Sequence, residues 1–456
     1  MTKKIILGLI GLLLITSGFS CKLLPKKAAP EYLTEKINLE YWGVWDETAD
    51  LKPIIDDFTA LHPNITITYR KFRYPEYKQK LLEAWAEDRG PDLYSLPVEW
   101  LKEYQNRITP QPEKVELAFN EVKKTLGKTE INTIVRQVPI LKNFEIKNKF
   151  VDTVYNDVII DGKIYGLPLS LDTLVLFYNR SLLDAAGIAT PPTNWTTVRE
   201  AVKKTTILDE SNNIIQAGIA LGTASNIPRA VDIVSLLMMQ TGTTMISGNQ
   251  ISFHQVFGQG ESSTAPGIDA LNFYTHFANP VKEVYSWNKN MPDALEAFIA
   301  GKLAMMYGYS YQATVIKGRA PKLDLGIAPM TQIENTEKPI NYANYWVTTV
   351  SHKAKNVDAA WGFINFALAE PELKKYLLAT NRPAALRSLI AAQKTEPELG
   401  VFADQALTAT HWYNGRDALK MEEIFQELID NFSNFTDPKE LTSYLANIAA
   451  RINLTL

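Results

Sequence analysis

The chain has 456 residues, 46% of them apolar and 21% charged, with a formal net charge of −3 and one cysteine. That balance argues against a nucleic-acid binder, which needs a basic excess or stripe, and a single thiol excludes an internal disulfide. Five scattered histidines, with no HExxH pairing and no cysteine partners, give no metal site of recognisable spacing.

Lys3 and Lys4 precede an apolar run from Ile5 to Ile15 and the small residues Thr16, Ser17, Gly18 and Ser20; Cys21 follows directly. Charge, apolar core and small residues in that order read as a bacterial export signal over residues 1–20. The run is shorter than the roughly 20 apolar residues of a spanning helix. It resembles a lipoprotein signal, which makes Cys21 the lipid attachment site and places the mature protein outside the cytoplasm, anchored to the cell membrane. Gly18 stands where that motif usually has leucine, and ordinary cleavage after Ser20 would instead leave a secreted or periplasmic protein. Residues 21–36 carry Pro25, Pro30 and four lysines (Lys22, Lys26, Lys27 and Lys36) and read as a solvated tether suited to anionic headgroups. Without residues 1–20 the chain keeps 436 residues, too many for one small core and suited to two lobes.

Ile37 to Trp42 alternates apolar and polar residues and predicts the first strand. Leu51 to Leu61 repeats apolar residues at helical spacing until His62-Pro63 stops it, and Ile65 to Tyr69 is a β-branched strand. Tyr74 to Ala86 predicts a second amphipathic helix, and Asp92 to Leu96 a third strand. Strand, helix, strand, helix, strand implies a parallel sheet, with ligands at the carboxyl ends of the strands, near Trp42, Trp45, Asp46 and residues 97–100. Residues 103–160 are polar and are expected to be helical in pieces. Ile164 to Phe177 reads as a turn and a long extended crossing segment. Further strands are predicted near Ala217 to Ala220, Leu303 to Tyr307, Leu325 to Ile327 and Trp346 to Ser351. Asp358 to Ala369 is an apolar helix, and the chain from Pro397 onward is expected to be helical.

Several blocks, in order, resemble the extracellular solute-binding proteins of sugar-type ABC transporters (family 1). The most specific is Asp161-Gly162-Lys163-Ile164-Tyr165-Gly166-Leu167-Pro168 followed by Leu176 to Leu183, then Ala185-Ala186-Gly187-Ile188, Pro191-Pro192 and Trp195. Asn38 to Trp42 with the helix ending Phe58 to Pro63, Gly90-Pro91-Asp92-Leu93, Ala297 to Met306 and Ala328-Pro329-Met330 complete the set, over residues 37 to about 430. The resemblance implies an α/β, two-lobed periplasmic-binding-protein-like fold with crossover hinge segments and a ligand cleft between the lobes. Residues 37–168 with 330–390 would form lobe 1, and 172–328 with 391–456 lobe 2. It implies a carbohydrate captured by lobe closure and handed to membrane permease subunits, by a monomer that needs no cofactor and is not an enzyme.

A sugar presents apolar ring faces and a rim of hydroxyls, so aromatic faces and planar polar groups are the matching side chains. Trp45 and Asp46 follow the first strand, although Asp46 or Thr48 could equally cap the next helix. Asp172 lies on the crossover, where sugar-binding relatives often have a carboxylate; the alternative is a hinge aspartate satisfied by backbone amides. Tyr307, Tyr309 and Tyr311 alternate as if on one side of a strand; one or two of them are expected to face the core, and Tyr309 and Tyr311 are the candidate ligand contacts. Trp346 begins a strand expected to border the cleft, the alternative being simple packing under the helix that carries Trp361, and Trp412 lies in the cluster His411-Trp412-Tyr413 before the last amphipathic helix. Trp287 and Glu99-Trp100 are weaker candidates. Asn381-Arg382-Pro383 resembles the family's Gly-x-Pro-type turn; Arg382 is a departure that could reach the cleft, but the stretch is read first as a structural turn.

Competing readings are a carbohydrate hydrolase, for which Asp46 and Asp172 would have to converge, and a sensor that reports ligand to a signalling partner. No phosphate loop or Gly-x-Ser-x-Gly elbow supports other chemistry.

Overall fold

A computed structural model describes residues 35–125, 128–258 and 264–456; Cys21, the export signal and the tether up to residue 34 lie outside them. The chain builds two principal sheets. In the first, Ile37–Gly43 lies between Ile65–Lys71 and Leu93–Pro97, parallel to both, with Ile37 opposite Ile65 and Trp42 opposite Tyr94. Trp346–Val350 then adds antiparallel to Leu93–Pro97, so the last strand returns from some 250 residues downstream. Leu93–Pro97 is buried throughout, as a strand covered on both faces must be.

The helices Thr48–Leu61 and Tyr74–Ala86 fall where the apolar spacing predicts them. The first buries Leu51, Ile54 and Phe58, and Phe58 meets Phe363 and Phe366 at 5.4 Å from the helix Val357–Ala367. Trp361, fully buried on that helix, donates through Nε1 to the Thr109 carbonyl at 3.1 Å. The polar stretch 103–160 departs from expectation. Its helices are Asn143–Lys149 and Asp152–Val158, but Glu116–Thr125 and Lys128–Gln137 pair as a long antiparallel hairpin. Leu117 and Ala118 anchor its base under Val357–Ala367, so tertiary cover decides the conformation of a segment too charged to read as a strand.

The second sheet runs in the order Ile207–Leu208, Ile214–Ile219, Leu303–Gly308, Val175–Asn179, Leu325–Ala328. Between the two sheets the chain crosses side by side. Asp172–Thr173 pairs antiparallel with Ala343-Asn344, and Asn341-Tyr342 pairs parallel with Ala409–Thr410. Leu167 exchanges backbone hydrogen bonds with Thr348, and the Leu171 amide donates to the Pro383 carbonyl. This is a two-lobed α/β fold with crossover segments and a cleft, as expected. Beyond residue 397 helices dominate (Leu399–Gln405, Ala418–Asn431 and Pro438–Asn453), interrupted by irregular chain at 411–417. No helix among the described residues is long and apolar enough to cross a membrane.

Candidate functional site

Trp45 lies in the loop that leaves the first strand at Gly43, at the carboxyl end of the sheet, and its ring is 42% exposed. It stacks on Tyr74 (5.9 Å between centroids, 23°) and on Tyr311 (5.7 Å, 28°), and meets Trp346 edge-on at 5.9 Å. Tyr74, at the start of its helix, and Trp346 belong to the first sheet's surroundings. Tyr311 lies in the first turn of the helix Ser310–Arg319, which follows a strand of the second sheet. The stack therefore spans the two halves of the fold. The tyrosine ladder predicted from alternation is broken here, because the strand ends at Gly308. Tyr307 and Tyr309 are both buried, and only Tyr311 faces out.

Asp46 does not cap the next helix; Glu47 takes that place, its amide donating to Asp50. Buried Asp46 instead accepts from the Tyr376 hydroxyl (2.7 Å) and Arg382 Nη1 (2.6 Å) through Oδ1, while Arg382 Nη2 donates to the Trp45 carbonyl at 3.0 Å. The helix Glu370–Thr380 ends on Asn381 in the left-handed region (φ 51°), where the family pattern has glycine, and that turn delivers Arg382 into the cleft. Burial disfavours the Arg382 cation, but Tyr376 and Asp46 hold its pKa above the usual range.

Asp172 sits beside the same space. Its Oδ2 accepts from the Ser310 amide (2.9 Å) and hydroxyl (2.6 Å), and its Oδ1 from the Thr173 amide (2.8 Å). It thus ties a crossover strand to the helix that carries Tyr311. Burial pushes its carboxyl up to about 6, against the Ser310 and Thr173 hydrogen bonds. Trp45, Ser170, Asp172, Tyr309, Tyr311, Trp346 and Arg382 line a cavity of about 100 Å³ with Ser310, Asn344 and Tyr345. A larger groove of about 440 Å³ lies elsewhere, against Ile140, Lys149, Glu370 and Arg387, and no aromatic ring lines it.

Next to the aromatic stack is an ionic cluster. Arg229 donates to both oxygens of Asp232 (2.8 Å each) and to Glu422 (2.7 Å), and lies 3.8 Å from Glu99. Tyr309 turns its hydroxyl away from the cavity and donates it to Asp232 at 2.6 Å. Glu99 follows the first sheet's strand Leu93–Pro97, whereas the other carboxylates come from the helices Ala230–Gln240 and Ala418–Asn431. Burial raises the Glu99 carboxyl to about 7, with Arg229 opposing and Asp232 and Glu422 reinforcing. The folded protein therefore holds a proton on Glu99 that the unfolded chain releases near the ordinary value of 4.5. More protons bound in the native state means stability falls as pH rises across that window. Glu99→Gln should consequently gain stability relative to wild type from about pH 4.5 to about pH 7 and keep a constant gain above it, measured by urea melts at stepped pH. A gain independent of pH would contradict this assignment.

Trp412 lies outside both the stack and the cavity lining: its Nε1 donates to Ser235 (2.9 Å) and its ring meets Tyr413 and Phe425. Trp287 and Trp100 are buried. His411 Nε2 is 2.8 Å from Asp157 Oδ2. Burial disfavours its cation, yet Asp157, with Glu99 and Asp232, raises its pKa to about 9. Tyr74, Arg229 and Ser310 are not among the residues that the sequence singles out, and Arg382 is there first a turn residue, with reach to the cleft as the lesser alternative. The departure from the family pattern at 382 was the one available signal. Arg229 has none, since its role depends on a left-handed backbone (φ 60°) and on helices that meet only in the fold.

The model of the bacterial extracellular solute-binding proteins matches residues 44–374. The multiple sugar-binding protein of Streptococcus mutans serotype c is 24% identical over 416 residues, 90% of this chain and 88% of that one. Relatives in Brucella abortus and Brucella suis are 22% identical over 315 residues, and the alignment spans 68% of this chain but 66% of their length. Among solved structures, the cyclic alpha-maltosyl-1,6-maltose binding protein of Arthrobacter globiformis superposes with a TM-score of 0.68, at 17% identity, over 92% of this chain and 98% of that one. Two crossed-over α/β lobes, an aromatic stack between them and a family match over most of the length lead to one conclusion: the chain belongs to the bacterial extracellular solute-binding protein family.

Proposed function

We propose that this protein is an extracytoplasmic receptor that captures a carbohydrate between its lobes and delivers it to the permease of an ABC transporter. The observation that carries the reading is the Trp45–Tyr311 stack, formed by rings from opposite halves of the fold beside Trp346, Asp172 and Arg382. A sugar ring inserted between such faces would bury its apolar sides, and its hydroxyls would meet the carboxylate, guanidinium and Ser310. The cavity of about 100 Å³ is smaller than the roughly 300 Å³ at the low end of ligand sites. Admission therefore requires the lobes to part, and ligand contacts to both sides favour closure. In this reading residues 37–168 with 330–390 move against 172–328 with 391–456. Cys21 carries the lipid that keeps the monomeric receptor beside its permease, which raises its effective concentration there.

Binding is favoured over hydrolysis because both candidate carboxylates are already engaged, Asp46 by Arg382 and Tyr376, Asp172 by Ser310 and Thr173. The test is a thermal-shift screen against mono- and oligosaccharides. A ligand at a hundredfold excess over its Kd should add about 2.7 kcal/mol of stability. If polyamines or peptides shift the transition and no saccharide does, the carbohydrate assignment is wrong.

A further inference from the structure

The charges around the cleft are unevenly matched. Three cationic side chains lie in or beside it, Arg382, Arg229 and His411, and each is already faced by carboxylate: Asp46, then Asp232 with Glu422 and Glu99, then Asp157. Asp172 adds a further carboxylate at the cavity wall. Of the three cations only Arg382 lines the cavity itself, and it also borders the adjoining pocket formed with Tyr41, Ser95 and Thr348. Its Nη1 is taken by Asp46 and by the Tyr376 hydroxyl, its Nη2 by the Trp45 carbonyl.

We propose that Asp46 determines ligand charge: by neutralising Arg382 it makes the cleft accept uncharged saccharides and reject those bearing a carboxylate or phosphate. The inference rests on the receptor reading above and narrows its ligand class. A bound anion gains most from a guanidinium whose charge and planar donors are free for bidentate contact. Here an entering anion would lose its water, find the guanidinium charge already matched by Asp46 with only Nε and part of Nη2 uncommitted, and meet the carboxylates of Asp172 and Asp46 at close range. A neutral hydroxyl suffers no such repulsion and can donate to the same oxygens. Asp46→Asn keeps the shape and an acceptor oxygen for Arg382 but removes the negative charge. It therefore converts the guanidinium from a spent partner into an anion receptor.

Titration calorimetry would compare wild type and Asp46→Asn on two probe sets: maltotriose, cellobiose and mannobiose as neutral sugars, and digalacturonate, glucuronate and glucose 1-phosphate as anionic ones. Wild type should bind at least one neutral probe and bind every anionic probe at least tenfold more weakly. In Asp46→Asn the ratio of anionic to neutral affinity should rise at least tenfold, and Asp46→Asn combined with Arg382→Gln should abolish that rise. If Asp46→Asn does not fold, Asp46→Ser carries the same expectation. An anionic sugar bound by wild type as tightly as any neutral one overturns this inference and leaves the receptor reading intact. An unchanged ratio in the variant, or a rise that persists without Arg382, also overturns it. If no saccharide of either set binds while another class of solute does, the receptor's carbohydrate assignment fails and takes this inference with it.

Discussion

Arg229→Ala should destabilise the folded protein by about 3–5 kcal/mol, the range for removing one partner of a buried ionic group. The guanidinium makes two 2.8 Å bonds to Asp232 and one of 2.7 Å to Glu422, and the Asp232 side chain is only 2% exposed. Without it, Asp232 keeps one donor, the Tyr309 hydroxyl, and three mostly buried carboxylates share one space. The deficit should be largest above pH 7 and shrink on acidification, because protonating the stranded carboxyls relieves them. Urea denaturation at pH 5 and pH 8 distinguishes this from loss of packing, which would cost the same at both. The backbone offers a second check. Arg229 has φ 60°, a conformation that costs a residue with a side chain about 1–2 kcal/mol. Arg229→Gly should therefore be about 1 kcal/mol more stable than Arg229→Ala while remaining well below wild type. If Arg229→Ala unfolds within 1 kcal/mol of wild type, the cluster is not the buried, mutually dependent unit its distances indicate.

The same residue marks the limit of reading this chain from sequence. The first sheet is legible, because its strands and helices carry regular periods bounded by His62-Pro63 and Gly90-Pro91, and Tyr74–Ala86 has the bounds its pattern predicts. The paired strands 116–125 and 128–137 are not, since alternation there is diluted by charge and their strand identity depends on cover from Val357–Ala367. At the candidate site, position is the legible signal: strand ends and crossovers are where a cleft must form, and Trp45, Asp172, Tyr309, Tyr311 and Trp346 line one cavity. Their partners are less visible. Asp46 reads in sequence as a ligand contact or a helix cap, and its partner Arg382 lies 336 residues away. Tyr309 resembles Tyr311 by spacing, but past the end of the strand at Gly308 it is buried, lining the cavity while its hydroxyl donates to Asp232. Local pattern locates side chains along an element, whereas which polar group compensates which is a property of the assembled lobes.

Trp45→Ala should weaken saccharide binding by about 2 kcal/mol, roughly thirtyfold in Kd, the scale of a central aromatic contact. Its ring is 42% exposed and its partners Tyr74, Tyr311 and Trp346 remain packed on other elements, so stability should change by less than about 1 kcal/mol. Trp45→Phe restores an aromatic face and should recover more than half of the lost binding energy. Tyr311→Ala removes the opposing ring from the other half of the fold and should cost a comparable amount. Because the two rings enclose the same space, the double variant should lose less than the sum of the singles. Calorimetry on the sugar identified by the thermal-shift screen gives all four numbers. Strict additivity would place the rings in separate subsites, and a Trp45→Ala affinity within threefold of wild type would remove the stack from the binding surface altogether. Trp412→Phe is the internal contrast. That indole is held by Ser235, Tyr413 and Phe425, away from the cavity, so its loss should leave the saccharide Kd within about twofold while Trp45→Ala does not. A shared effect at both positions would mean that the cleft in its open state extends to residue 412, and the aromatic surface would then run along the whole seam between the lobes.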